Sequence, residues 1–410
     1  MRTVTEPELA RILGALPGIP RIVASGNYAA PRRLLSVADA AVAEFRLFML
    51  NAQHGLPDRD GVVYESAFVG PGMRAHPRLH YFPCRLSLVP HLFRQRLAPD
   101  VVLLHTSRPV GGAVSLGVEV NVLPAAIESA RARGGIVVAQ ANPAMPFTHG
   151  DALLPLDAVD YLLEVDEPLA THAVVAPDAV SAAIGERVAA LVPADATLQL
   201  GIGAIPDATL DALLDRRGLR IWSEMFSDGA LALEKAGCLD RDTPITASFC
   251  FGSAELYDWV DANPRIRMLR TEKTNNPGTI AAHPNLMSVN SALQVDLFAQ
   301  ANATRVGNRT HSGFGGQTDF IVGAMHSPGG HAVIALRSWH PKADVSSVVP
   351  LVSGPVTSFQ HSYIVTEQGT ATIWGRDSVE QAQEIVDHAA HPSIRDELRA
   401  AGRTFGLPLH

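Results

Sequence analysis

Glu224 stands in Ile221-Trp-Ser-Glu-Met-Phe-Ser-Asp-Gly229, eighteen residues after the proline of Gly201-Ile-Gly-Ala-Ile-Pro206. The two segments supply complementary chemistry. The glycine turn sits where a strand hands over to a helix, leaving backbone N–H groups free to hold an anion. The glutamate closes an apolar strand, and the carboxyl ends of strands are where open α/β sheets bind ligands. At its ordinary pKa a glutamate is anionic at neutral pH. It then attacks a thioester with no general base. The pairing suits acyl transfer to and from a thioester.

Other readings use the same residues. Gly201 and Gly203 fit the first two glycines of a dinucleotide-binding turn, with Glu224 near the distance of the ribose-binding acid. Pro206 occupies the third glycine position and argues against it. A tight strand-to-helix turn with a solvated glutamate is the plain structural alternative. A second glycine loop, His311-Ser-Gly-Phe-Gly-Gly-Gln-Thr-Asp-Phe320, permits close backbone approach to a ligand. Its bland counterpart is a turn before a strand over 320–322.

The chain has 410 residues, enough for two or three domains with cores of their own. Its net charge of −8 excludes a broad nucleic-acid surface, so an anionic ligand needs a local cluster of donors. Cys84, Cys238 and Cys250 form no C-x-x-C pair, and their odd count points to a reducing cytoplasm. The N-terminus is charged and carries no apolar core of a signal peptide. Apolar runs such as 101–104 and 332–336 are too short to span a bilayer and suit buried parallel strands, so no membrane role is expected. No metal is expected either: the sixteen histidines are scattered, and Pro77 between His76 and His80 spoils a helical ligand pair. There is no G-x-S-x-G elbow and no Walker A segment. The cysteines read as small buried hydrophobes, and Glu367 as a structural cap or partner.

Short apolar runs alternate with helical patterns. Residues 21–25, 101–104 and 136–139 read as strands, 31–45 and 124–133 as helices. In the second half 180–191, 207–214 and 230–236 read as helices, with 197–200 and 219–222 as strands. This alternation implies mostly parallel sheets covered by helices. Gly26 to Pro31 and Gly201 to Pro206 share a layout of strand, glycine, proline five residues on, then helix. That echo points to two similar open α/β domains, 1–178 and 179–410.

Several long segments, in order, resemble the acetyl-CoA hydrolase/transferase family, the family I CoA-transferases. In the first half these are Phe68-Val-Gly-Pro-Gly-Met-Arg74 and Asn142-Pro-Ala-Met-Pro-Phe-Thr-His-Gly-Asp151. In the second they are Gln199-Leu-Gly-Ile-Gly-Ala-Ile-Pro-Asp207, Ser223-Glu-Met-Phe-Ser-Asp-Gly229, Leu256-Tyr-Asp-Trp-Val260, Ser288-Val-Asn-Ser-Ala-Leu-Gln-Val-Asp296, Ser312-Gly-Phe-Gly-Gly-Gln-Thr-Asp-Phe320 and Tyr363-Ile-Val-Thr-Glu-Gln-Gly369.

The resemblance implies a CoA-transferase-like pair of α/β domains with Glu224 as nucleophile and Asn290 near the reacting carbonyl. It implies that Gly201, Ile202, Gly203, Ala204 and Ile205 contact coenzyme A and that amides around Gly313, Gly315 and Gly316 stabilise oxyanions. Lys342 is implied to meet the CoA phosphates. Coenzyme A is then a substrate, with no tightly bound cofactor. The partners are an acyl-CoA and a short-chain carboxylate, and the assembly a homodimer or homotetramer. Transfer to a carboxylate and hydrolysis of the acyl-CoA both remain open, since the same residues serve either. The chain departs from the family at Gln368 and in Arg337-Ser-Trp-His-Pro341. Phe226, Phe251, Trp339 and Gln368 are candidates for the acyl pocket by position.

Overall fold

The computed structural model describes residues 1–410 except 174, 355 and 357–359. The chain divides into two compact units. The first comprises Met1–Ala173, Pro244–Thr274 and Thr310–Gly315; the second comprises Val174–Thr243, Asn275–Arg309 and Gly316–His410. The contiguous split at 178/179 thus leaves out two returns of the chain to the first unit. Strand Ile266–Met268 secures the longer return. It runs parallel to Ile245–Ala247 on one side and to His149–Gly150 on the other. Pairing across more than a hundred residues leaves no trace in local periodicity.

The first unit is built on an eight-stranded sheet. Its order is Arg2–Thr3, Tyr161–Glu164, Ile136–Ala141, Val101–Thr106, Arg21–Ala24, Phe45–Phe48, Val62–Ser66 and Leu79–Tyr81. Every pairing in it is parallel. Val101–Thr106 is buried along its whole length, as an unbroken apolar run covered on both faces requires. Helix Arg32–Ala41 turns Leu34, Leu35, Val37 and Ala38 inward. They meet Leu9, Leu13, Phe45 and Leu103 in one core.

The second unit carries a six-stranded sheet ordered Arg220–Ile221, Thr197–Leu200, Leu286–Asn290, His331–Ala335, Tyr363–Thr366 and Gly369–Thr372. All neighbours are parallel except the last pair. Its own core gathers Leu286, Phe320, Ile321, Ile334, Ile364 and Ile385. Helix Ala179–Leu191 opens at Asp178, whose side chain accepts the Ser181 amide; such a cap contributes about 1 kcal/mol.

Three local expectations need correcting. Residues 320–322 lie in helix Gln317–His326 rather than in a strand. A short apolar run fits either state, and here the glycine loop leads directly into a helix that buries Phe320 and Ile321. The helix expected over 207–214 is Ala204–Asp211, so Pro206 sits in the first turn, where its missing N–H costs nothing. The strand over 219–222 is only Arg220–Ile221.

Apart from the edge strand Arg2–Thr3, each sheet begins on an inner strand and is extended first to one side and then to the other. The strand order therefore reverses between Arg21–Ala24 and Val101–Thr106 in the first unit, and between Thr197–Leu200 and Leu286–Asn290 in the second. Both units are open α/β folds, and the crevice at such a reversal is where they bind ligands. Among the described residues no helix is long and apolar enough to cross a membrane.

Candidate functional site

Gly201 and Asn290 cap the two strands that flank the reversal in the second sheet. Gly203 has φ +115° and ψ 177°, a conformation open essentially to glycine alone. A side chain at Gly201 or Gly203 would meet nothing within 4 Å, so this backbone faces open space. The turn feeds helix Ala204–Asp211. Beside it lies a cleft of ≈ 250 Å³, lined among others by Ile202, Gly203, Ala204, Ile205, Ser291 and Arg337. Gly201 lines a separate small cavity with Ser223, Met225 and Phe226. The turn's free N–H groups and the helix behind them suit an anionic ligand.

Ser223 fixes the turn that carries Glu224. It is buried, donates from Oγ to the Leu200 carbonyl at 3.2 Å and accepts the Met225 amide at 3.4 Å. The Glu224 carboxylate then has two identified donors. Asn275 Nδ2 reaches Oε2 at 3.0 Å, and the Gly316 N–H also donates to it. A Cβ on Gly316 would stand 1.7 Å from Oε2 and 2.3 Å from Asn275 Nδ2, so only glycine admits this approach. Asn275 and Gly316 are both residues at which the chain re-enters the second unit.

The surroundings oppose the charge of this carboxylate. Burial is the largest influence and pushes Glu224 up to about 7. The Asn275 amide pulls it down, the Asp319 charge pushes it up again, and the Gly316 N–H pulls it down. Asp319 is fully buried in the first turn of helix Gln317–His326. The ordinary glutamate expected from sequence is therefore corrected: at neutral pH this group divides between acid and anion.

This has a consequence for stability. The folded protein keeps the Glu224 proton up to about pH 7, whereas an ordinary glutamate releases it near 4.5. Across that window the folded state binds the extra proton, so stability falls as pH rises. Glu224→Gln removes the charge and keeps an acceptor oxygen. It should stabilise the protein at pH 8 by about 1–3 kcal/mol, at about 2–4 °C in Tm per kcal/mol, and give no gain near pH 4. An unchanged or lower Tm at pH 8 would show that no strained charge is stored there.

The other expected residues separate. Gly313 and Gly315 pack within the first unit: added side chains would meet the Ala67 carbonyl at 2.5 Å and the Phe68 ring at 2.9 Å. Of the three loop glycines, only Gly316 meets Glu224. Asn290 Nδ2 donates to Ser288 Oγ at 2.9 Å and to Gln199 Oε1 at 3.3 Å, which holds its amide at the strand end. Lys342 lies exposed in the turn between Trp339–His340 and Val345–Ser346, outside the lining of the cleft. Glu367 accepts from the Ser338 amide and hydroxyl, and Gln368 joins that cluster, so both are structural partners. Phe251 stacks on Tyr28 in the first unit with ring centroids 4.3 Å apart. Trp339 donates to Asp344 at 3.0 Å.

Asn275 and Asp319 were not singled out from sequence. Asn275-Asn-Pro-Gly278 reads as a helix cap, but Asn276 alone performs that task by accepting the Thr279 amide. Asn275, the second asparagine before Pro277, is not used by the cap, and that doubling was the available signal; the structure buries it fully. Among the described residues no group of three or more His, Cys, Asp or Glu is placed to hold a metal ion.

The chain matches the acetyl-CoA hydrolase/transferase N-terminal domain over residues 35–175 and the C-terminal domain over 252–402. It is 39% identical over 333 residues to the 4-hydroxybutyrate coenzyme A transferase of Clostridium kluyveri, covering 78% of this chain and 76% of that one. It is 32% identical over 402 residues to the succinyl-CoA:acetate/propanoyl-CoA:succinate CoA transferase of Fasciola hepatica, covering 92% and 83%. The acetyl-CoA hydrolase of Kluyveromyces lactis matches at 33% over 48% of this chain and 39% of its own. Among solved structures, RipA from Yersinia pestis superposes with a TM-score of 0.91 at 27% identity, over 99% of this chain and 98% of that one. The 4-hydroxybutyrate CoA-transferase of Porphyromonas gingivalis does so with 0.81 at 31% identity, over 98% of each chain.

Proposed function

We propose that this chain, which belongs to the acetyl-CoA hydrolase/transferase family, moves coenzyme A between an acyl-CoA and a short-chain carboxylate through a thioester on Glu224. Transfer between acyl-CoA and carboxylate is the activity that its transferase relatives carry in their names. The observation that carries the finer reading is the Glu224 carboxylate, held by Asn275 and Gly316 with its pKa raised to about 7.

Glu224 attacks the thioester carbonyl, and the oxyanion of the tetrahedral intermediate forms beside the amide donors of the site. Collapse breaks the C–S bond, releasing CoA thiolate and leaving a mixed anhydride. The thiolate attacks the glutamyl carbonyl, expels the carboxylate and leaves a glutamyl-CoA thioester. A second carboxylate reverses the sequence and departs as its CoA ester. Burial serves both halves. It makes the free glutamate a more basic nucleophile, and the charge it disfavours leaves the glutamyl group once the anhydride forms. Each oxyanion donor supplies about 3–4 kcal/mol to such a step. Asn290, at the strand end, is assigned to the reacting carbonyl, and the turn from Gly201 to Ile205 to coenzyme A.

Hydrolysis is the second reading, favoured by the acetyl-CoA hydrolases among the relatives. Water would then take the place of the second carboxylate. We assign the enzyme to the cytoplasm as a homodimer or homotetramer; its free cysteines suit a reducing compartment.

The deciding experiment is mass spectrometry after incubation with acetyl-CoA and reduction with borohydride, with and without added propionate or butyrate. Reduction of the Glu224 side chain to its alcohol is expected, together with formation of the new acyl-CoA. Acyl-CoA loss that needs no carboxylate indicates hydrolysis, and an unmodified Glu224 peptide during turnover removes the covalent mechanism.

The pH profile follows from the same site. Only the anion attacks, so single-turnover formation of the glutamyl thioester should rise with pH through a midpoint near 7 and level off above it. Asn275→Ala removes a donor that favours the anion and should move the midpoint upward. A wild-type midpoint near the ordinary 4.5 would show that burial does not tune the nucleophile.

A further inference from the structure

Arg337 lines the cleft beside the Gly203 turn, together with His340, whereas Lys342 does not. One nitrogen of its guanidinium is tied down. Nη2 donates to the Asp178 carboxylate and, at 3.1 Å, to Ser181 Oγ. Asp178 is itself fixed as the cap of helix Ala179–Leu191, and the arginine holds its carboxyl down at about 2. Nε and Nη1 donate to no acceptor among the described residues. The side chain is 29% exposed. An arginine pinned at Nη2 and open at Nη1 is a pre-oriented cationic donor, better fixed to meet a phosphate oxygen than a mobile ammonium is.

Resting on the reading of this cleft as the coenzyme A site, we propose that Arg337 is the residue that binds a phosphate group of coenzyme A in this protein. Asp178 and Ser181 are the positioning residues that aim it. Arg337 thereby takes over the role that the resemblance implied for Lys342. Lys342 stands on the exposed hairpin turn, with no hydrogen bond or ion pair to orient it among the described residues. The geometry also explains why a net-negative chain can hold a polyanion. The cation is local, and its counter-charge Asp178 engages Nη2 while Nη1 stays available.

The test is isothermal titration of the full chain with coenzyme A and with dephospho-coenzyme A, which lacks the 3′-phosphate. It needs no turnover. Arg337→Gln should raise Kd for coenzyme A about 10–100-fold, the worth of hydrogen bonds to a charged group. The Asp178 pair is largely exposed, so the variant should fold. If it does not, Arg337→Lys keeps the charge but cannot hold Asp178 with one nitrogen while presenting another to the phosphate, and should still weaken binding. An equal loss for both ligands places the guanidinium on the diphosphate, and a loss confined to coenzyme A places it on the 3′-phosphate. Wild-type affinity in Arg337→Gln, with the loss appearing in Lys342→Met instead, overturns the assignment. A wild-type protein that binds no coenzyme A overturns the reading of the site itself.

Discussion

Replacing Glu224 with alanine is expected to lower kcat/KM for CoA transfer by roughly 10⁴-fold or more, the scale seen when a nucleophile that acts in a concerted set is removed. The proposed mechanism leaves the reaction no other route through this site: without the carboxylate no anhydride would form, and the thiolate would have no glutamyl carbonyl to attack. Glu224→Asp sharpens the result. It retains the charge but withdraws the oxygens from Asn275 and Gly316, which are fixed to meet a glutamate. A displacement of about 1 Å costs on the order of 10²-fold, so aspartate should leave a trace of activity and alanine none. Glu224→Gln should be as inactive as alanine yet more stable than wild type at pH 8, an exchange of activity for stability that follows from the buried charge. Transfer at near wild-type rates in any of the three would remove Glu224 from the chemistry.

Gly316→Ala should carry the second largest effect, and should do so without damaging the fold. Gly316 has φ −90° and ψ −3°, which alanine adopts freely. The atoms nearest its new methyl group are Glu224 Oε2 at 1.7 Å and Asn275 Nδ2 at 2.3 Å. Both belong to side chains that swing aside, so the displacement falls on Glu224 and its donor rather than on the backbone. A loss in kcat on the order of 10²–10³-fold is expected, with Tm close to wild type. Gly315→Ala is the contrast. Its φ is +55°, and its methyl would press on the Phe68 ring within the first unit. That variant should lose about 1–2 kcal/mol of stability from the left-handed backbone alone. Steady-state kinetics and thermal melting of the two variants separate the roles, and equal behaviour in both assays would show that the loop acts as one unit.

Much of this site was legible before any coordinates. The turn that carries Glu224 just after the short strand Arg220–Ile221, and the glycine turn that ends Thr197–Leu200, are local signals. Each is set by residues within a few positions of one another, which hydrophobic period and turn chemistry report directly. The open α/β class follows from the alternation of short apolar runs with amphipathic helices, since such runs bury only in covered parallel sheets. The same logic misfired over 320–322, where three apolar residues in a row fit a strand and a buried helix equally well.

The tertiary structure decided what lies beyond that local reach. It placed Gly316 rather than Gly313 or Gly315 against Glu224, brought Asn275 to its carboxylate across fifty-one residues, and returned residues 244–274 to the first unit. It turned Arg337 rather than Lys342 toward the cleft, and it raised an ordinary glutamate to about 7. Sequence spacing specifies which face of an element is apolar and where the chain must turn. Burial, donor geometry and the pKa of a carboxylate depend on which distant segments pack around it, and that is a property of the folded chain alone.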